Sequence, residues 1–372
     1  MNRYRPICPS LRLPLAYCLV IVFLLGAPCT FAQSDVSLRL EVTLVSDEAD
    51  AALAILALRA AGQPVPDADW ERLFTSEGYL RLKKRELSLQ RPFDDDSFRA
   101  FVLSDQLAAR AAALRETLAR WKGADLTGAA ARALAYLPAS ARLRARIYPV
   151  IKPRDNSFVF ETDSNPAIFL FLDPQMTSAQ FENTLAHELH HIGLTSACVS
   201  VASADQPKFP KAVQTVRDWI SAFGEGVAML AASGDPDVHP HAASAAEDRA
   251  RWDRDVANFN EDLHKVEAFF LAVLDHHLTS EDEIRKQAFS FFGVQGPWYT
   301  VGWRMAVTIE KSYGRQRLIA CLCDPTQFLA TYNAAASKVA AAGGPSLARW
   351  SPALLERIAI PGAVPAAGVR KP

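Results

Sequence analysis

The chain has 372 residues, half of them hydrophobic and 22% charged, with a formal net charge of −1. That is enough apolar material for one large or two modest domains with a sizeable core. The near-neutral balance gives no overall basic excess for nucleic acid and no acidic block for a solvating tail. A composition rich in Ala, Leu and Arg points instead to a globular, mainly helical protein.

The first stretch stands apart. "MNRYRPICPSLR" carries Arg3, Arg5 and Arg12 and no acid, "PLAYCLVIVFLLGA" is an apolar run of signal-peptide length, and "CTFAQ" puts small Thr30 and Ala32 where a signal peptidase reads. Residues 1–32 are therefore expected to be a signal peptide cleaved after Ala32. The rival reading is an uncleaved anchor, for which the run is short against the roughly 20 residues of a membrane span. Cleavage removes three arginines and no acid, moving the net charge from −1 to −4.

Residues 33–145 read as a helical region. "EADAALAILALRAAG" has helical periodicity and ends on Gly62, "PDADWERLFTSEGYLRLKKREL" is amphipathic, and "DSFRAFVLSDQLAARAAALRETLARWKG" reads as one long helix closed by Gly123. Near residue 146 the pattern changes. "ARIYPVIKP", "SFVFET" and "NPAIFLFLDP" are short, aromatic and β-branched, with turn residues between them, so they predict a small sheet. "TSAQFENTLAHELHHIG" then opens with Thr177 and Gln180 in capping-box spacing and is expected to stop at Gly193. Further helices are expected over "KAVQTVRDWISAFGEGVAMLAASG", "DVANFNEDLHKVEAFFLAVLDHH", "WYTVGWRMAVTIEKSYG" and "PTQFLATYNAAASKVAAAGG". Residues 146–345 form the expected core and 346–372 a Pro/Ala-rich tail. No nucleotide-binding glycine loop and no internal repeat is found.

Three cysteines leave with the signal peptide. Cys198, Cys321 and Cys323 remain, so one chain holds at most one disulfide among them. Cys321 and Cys323 alternate on "LIACLCD" and could share one face of a strand. A bridge from either to Cys198 and three buried thiols are both open readings. With no Cys-x-x-Cys pair, a zinc site made of these cysteines is not expected.

The chemistry concentrates in "HELHH". On a helix His187 and His191 lie one turn apart on one face, as two imidazoles on one metal must, while Glu188 can take a proton from a water at the metal's open position. His190 falls off that face and reads as a neighbouring or surface residue. A catalytic zinc needs a third protein ligand. The metzincin pattern is ruled out by Leu194 and Ala197, where it needs Gly and His. Glu225 in "SAFGEGVAML" is the candidate: each flanking glycine costs about 1 kcal/mol in a helix interior, which suggests a close approach to another helix. The alternative is a kink with Glu225 in solvent. Tyr299, where a Gly-Pro turn enters a helix, is the candidate for holding an oxyanion, against a tyrosine packed in the core. His239, His241, His276 and His277 lie in polar, loop-like sequence and are expected to face solvent. Glu261 and His264 form a single Glu-x-x-His pair, too few ligands for a di-iron bundle.

"HELHH" followed by "GEGVA" resembles the gluzincin metallopeptidases, whose third ligand is a glutamate on a later helix. More closely, with "DWERLFTSEGYLRLKKRE" and "YTVGWRMAVTIEKSYG", the chain is similar over most of residues 40–335 to a bacterial family of zinc-dependent peptidases known as a domain of unknown function. The resemblance implies an α+β, mainly helical fold with a thermolysin-like (gluzincin) core and a small β-sheet before the active-site helix. It places the metal on His187, His191 and Glu225, one zinc per chain, and the base on Glu188. The spacing to Glu225 is longer than in thermolysin. The leading expectation is an exported zinc metallopeptidase, periplasmic or secreted, acting on a peptide or protein substrate, with no nucleic acid and no stable membrane association after cleavage. The other readings are a non-catalytic binding protein with a structural or vestigial zinc, and a zinc hydrolase of a non-peptide amide. Glu188 argues against a vestigial site, because a ligand shell does not need it.

Overall fold

The computed structural model describes residues 39–162, 164–199 and 209–359. The expected signal peptide with its cleavage point, and residues 360–372 of the expected tail, lie outside them. Among the described residues no helix is long and apolar enough to cross a membrane. The protein is α+β and mainly helical, with a four-stranded mixed sheet.

Strand β1 (Leu40–Leu44) lies in the stretch expected to be helical. It is a strand because it finds a partner about a hundred residues on: it pairs parallel with β2 (Leu143–Val150), Leu40 opposite Leu143 and Leu44 opposite Ile147. Strand β3 (Phe158–Phe160) runs antiparallel to β4 (Ala167–Phe171), which pairs parallel with β2, giving the order β1-β2-β4-β3. Ala167, Ile168, Phe169 and Leu170 are all buried, as an unbroken apolar run in a central strand requires.

Helices α1 (Asp47–Ala60), α2 (Asp67–Phe74), α3 (Glu77–Ser88), α4 (Asp95–Val102), α5 (Asp105–Lys122) and α6 (Leu126–Leu134) come between β1 and β2. The two long helices expected here are each split by an internal serine cap. Ser76 Oγ accepts from Tyr79 N, and Ser104 Oγ accepts from Leu107 N. A hydroxyl that satisfies a backbone N–H starts a new helix as readily as it sits within one.

Helix α7 (Ser178–Val199) follows β4 through the expected capping box, with Gln180 N donating to Thr177 Oγ1 at 3.2 Å and Thr177 N to Gln180 Oε1 at 2.8 Å. It does not stop at Gly193. A Cβ there would lie 2.3 Å from Leu137 Cδ1 and 2.6 Å from Leu143 Cδ2, so this glycine lets the helix lie close on its neighbours rather than end. Phe181, Leu185, Leu189 and Ile192 bury one face of α7 in a first core that includes the sheet and α1 to α6, with Phe181 stacked on Trp121.

A second core gathers α8 (Lys211–Ile220), a short 3-10 turn (Ser221–Phe223), α9 (Gly224–Ser233), α11 (Phe259–Leu274), α12 (Glu281–Ser290), α13 (Pro297–Tyr313), α14 (Arg315–Cys321), α15 (Pro325–Ala341) and α16 (Pro352–Ile358) around Phe223, Phe270, Trp298 and Trp350. Helix α10 (Ala246–Ala257) packs on α13. "LIACLCD" is not a strand: Leu318, Ile319 and Cys321 are buried at helical spacing in α14. Cys323, just beyond, is bonded to Cys198 at the end of α7, and Cys321 is a free buried thiol. Within the expected tail Ser351 caps α16, and Trp350, Leu354 and Ile358 are buried.

Candidate metal centre

The hydrophobic face of α7 faces the first core, which turns His187 and His191 the other way. One helical turn apart, their Nε2 atoms stand 3.0 Å from each other. Glu225 arrives from α9, with Oε2 3.1 Å from His187 Nε2 and 3.2 Å from His191 Nε2. Ligands about 2.0–2.1 Å from a tetrahedral zinc stand roughly 3.3 Å apart. Three donor atoms converging on a triangle of that size, two imidazole nitrogens and a carboxylate oxygen, fit such an ion in dimension and in chemistry. Among the described residues this is the group of His, Cys, Asp and Glu side chains that could hold a metal. None of the three is fully buried, so the centre is open on one side.

The glycines around Glu225 have different reasons. A Cβ on Gly226 would lie 2.0 Å from Trp303 N and 2.4 Å from Tyr299 O, so α9 meets α13 backbone to backbone there. Gly302 on α13 returns the contact, its missing Cβ 2.4 Å from Phe223 O. Gly224 has only a Leu194 methyl at 3.9 Å. The close helix approach read from "GEG" is thus a property of Gly226, and it fixes where Glu225 emerges.

Tyr299 comes in on the same contact. Its ring stacks on His187 at 6.2 Å, close enough to Glu225 for that carboxylate's charge to act on its hydroxyl. Burial, then the Glu225 charge, push the phenol well above its ordinary pKa. Burial alone would raise the Glu225 carboxyl, but the two imidazoles outweigh it and hold it far below the usual range. Burial works against a charged His191, and Glu225 more than offsets it, so His191 is raised. Glu188 is half-buried beside His187, near enough for its charge to act on His191 and Tyr299.

His190 lies on the opposite, core side. It is fully buried, and burial together with its two histidine neighbours depresses it to about 3, so it stays neutral. Of the loop histidines, His276 and His277 are exposed as expected. His239 is half-buried and bonded to Asp253 at 3.1 Å. His241 is not solvent-facing: it is buried, its ring 5.2 Å from Trp252, because the turn before α10 folds under that tryptophan. His264 is exposed beside Glu267, and among the described residues no set of metal-ligating side chains gathers around it. The sequence reading did not single out Phe292, whose ring stands 6.4 Å from Tyr299. The aromatic cluster in "FFGVQGPWY" was the available signal.

No curated protein and no solved structure matches the chain. A family profile does match, over residues 68–341, which reaches from the start of α2 to the end of α15 and takes in His187, His191, Glu225 and Tyr299. The chain therefore belongs to the family described as "Putative zinc dependent peptidase (DUF5700)".

Proposed function

We propose that the protein is an exported zinc metallopeptidase with one zinc per chain, hydrolysing peptide or protein substrates on a thermolysin-like (gluzincin) core. The observation that carries this reading is the triangle of His187 Nε2, His191 Nε2 and Glu225 Oε2, with Glu188 adjoining it on the same helix. What a zinc ion supplies when bound there is Lewis acidity, which acidifies water and polarises a carbonyl. Glu188 takes the proton of the attacking water and returns it to the leaving nitrogen as the C–N bond breaks. Tyr299 keeps its proton at neutral pH and offers it to the carbonyl oxygen as negative charge develops. Glu225 and the ring of Tyr299 hold the two imidazoles in place.

A strand followed directly by the ligand-bearing helix, with the third ligand on a later helix, α9, beyond α8 and the 3-10 turn, supports the thermolysin-like assignment. The basic start, the apolar run and the "TFA" end support export, as does the Cys198–Cys323 bridge, since disulfides persist in oxidising compartments. Purified mature protein is expected to carry about one zinc per chain, and to cleave members of a broad peptide library until a chelator removes the metal and again when zinc is restored. Protein that neither retains nor takes up zinc, or that cleaves equally well after chelation, would contradict the reading.

A further inference from the structure

An apolar shelf runs from the metal centre to the surface. Tyr299 stacks on His187, Phe292 stands edge-on to Tyr299 at 6.4 Å, Phe289 lies 5.6 Å from Phe292, and Trp219 meets Phe289 at 5.9 Å. The outer members are left in water: Phe289 is 57% exposed and Val294, in the same turn as Phe292, is 69% exposed. Large apolar groups held together in water mark a contact surface more often than scattered ones do.

The turn after α12, which carries Phe292 and Val294, is built rather than slack. Gly293 and Gln295 both adopt positive φ, +47° and +63°, the second costly for a residue with a side chain. Gly296 N donates to Phe292 O at 2.6 Å, and Trp298 N to Phe291 O at 3.3 Å. A Cβ on Gly296 would lie 2.7 Å from Phe291 O. Behind the shelf Trp219 stacks on buried Trp298. Backbone strain is concentrated in the turn that sets Phe292 against Tyr299 and leaves Val294 in water.

We propose that this shelf is the recognition surface of the centre. It takes a bulky apolar side chain, aromatic or branched aliphatic, of a polypeptide whose backbone lies at His187, His191 and Glu225, and Phe289, Phe292 and Val294 determine that specificity. The proposal rests on the peptidase reading for the placement of the backbone. Its occupant follows from continuity: the rings lead without interruption to the ligands, and no ionised side chain belongs to the stacked series.

Synthetic dodecapeptides differing only at a central Phe, Leu, Gly, Asp or Lys test it in two ways. Cleavage is measured with the zinc-loaded wild type, and binding by fluorescence anisotropy with the zinc-loaded Glu188→Gln variant, which needs no turnover. The Phe and Leu peptides are expected to be favoured by at least about tenfold in both, the preference in cleavage lying in KM. The double variant Phe289→Ser, Val294→Ser changes only exposed positions, and melting checks that it is folded; it is expected to lose most of that preference. Equal treatment of all five peptides by wild type would overturn the shelf and leave the peptidase reading standing. No cleavage by wild type, with Phe-peptide binding that the double variant loses, would keep the shelf and remove the peptidase reading. A preference unchanged in the double variant, or a double variant whose only effect in sedimentation is to dissolve a dimer, would overturn the proposal.

Discussion

The Glu225 carboxylate is held between two imidazoles. Replacing it with alanine removes one of three ligand atoms while leaving the Gly226 contact that sets α9 on α13. Glu225→Ala is expected to weaken zinc binding at least about a hundredfold in a chelator competition titration, with little change in far-ultraviolet circular dichroism. Unchanged affinity would move the third ligand elsewhere. A second buried carboxylate lies away from this centre. Glu48 is fully buried on α1, accepting a bond from Ile151 N at 3.0 Å, and burial raises its pKa to about 8 against the opposing pull of Lys152. The unfolded chain releases this proton near the ordinary carboxyl value of 4.5. Between those values the folded protein holds a proton that the unfolded chain has lost. Stability contributed by this group is thus full below the lower value and falls as pH rises through the window. Glu48→Gln, neutral throughout, is expected to unfold like wild type near pH 5 and to be more stable near pH 8, by on the order of a few kcal/mol. Parallel denaturation profiles across that range would show that Glu48 does not titrate in this way.

The helix pair α9 and α13 sets the geometry of the centre, and its two glycines make contrasting predictions. Gly226→Ala drives a methyl into the backbone of Tyr299, Gly302 and Trp303, where no side chain can swing aside. It is expected to destabilise the protein by about 3 kcal/mol or more and to spread the ligand triangle. Gly224→Ala meets only a Leu194 methyl at ordinary contact distance and is expected to be neutral or stabilising by up to about 1 kcal/mol. Thermal unfolding of the two variants side by side checks this; equal effects would mean that the α9–α13 contact is not the constraint. The same elements show what a single sequence exposes. Spacing alone carries His187, Glu188 and His191, because one helical turn fixes which side chains converge. The cost of glycine in a helix pointed to Glu225, but not to Gly302, the partner that explains Gly226. Gly193 reads equally as a stop or as a packing site, and the choice depends on Leu137 and Leu143. β1 is only five residues long; its apolar and polar residues alternate, Leu40, Val42 and Leu44 more covered than Glu41 and Thr43, but so short a run lay next to strongly helical sequence, and its partner β2 is about a hundred residues away. The internal caps at Ser76 and Ser104 were masked because amphipathic spacing continues across them.

At the scale of the whole molecule, the centre sits where the two cores meet. The histidines stand on a helix of the first core, and Glu225 and Tyr299 on helices of the second, with the Cys198–Cys323 bridge joining the end of α7 to the turn after α14. A metal held across that seam binds only the folded chain, so zinc at a hundred times its dissociation constant adds about 2.7 kcal/mol of stability. Holding a metal and performing hydrolysis are separable here, because Glu188 belongs to none of the three ligand contacts. The most direct measurement is therefore the zinc content and the peptide-cleavage rate of Glu188→Gln beside wild type. Glutamine keeps the size and much of the hydrogen bonding of glutamate but cannot take the proton. The account predicts zinc content and melting temperature near those of wild type, with cleavage reduced by at least about a hundredfold. Equal cleavage by the two proteins, each with full zinc, would contradict it.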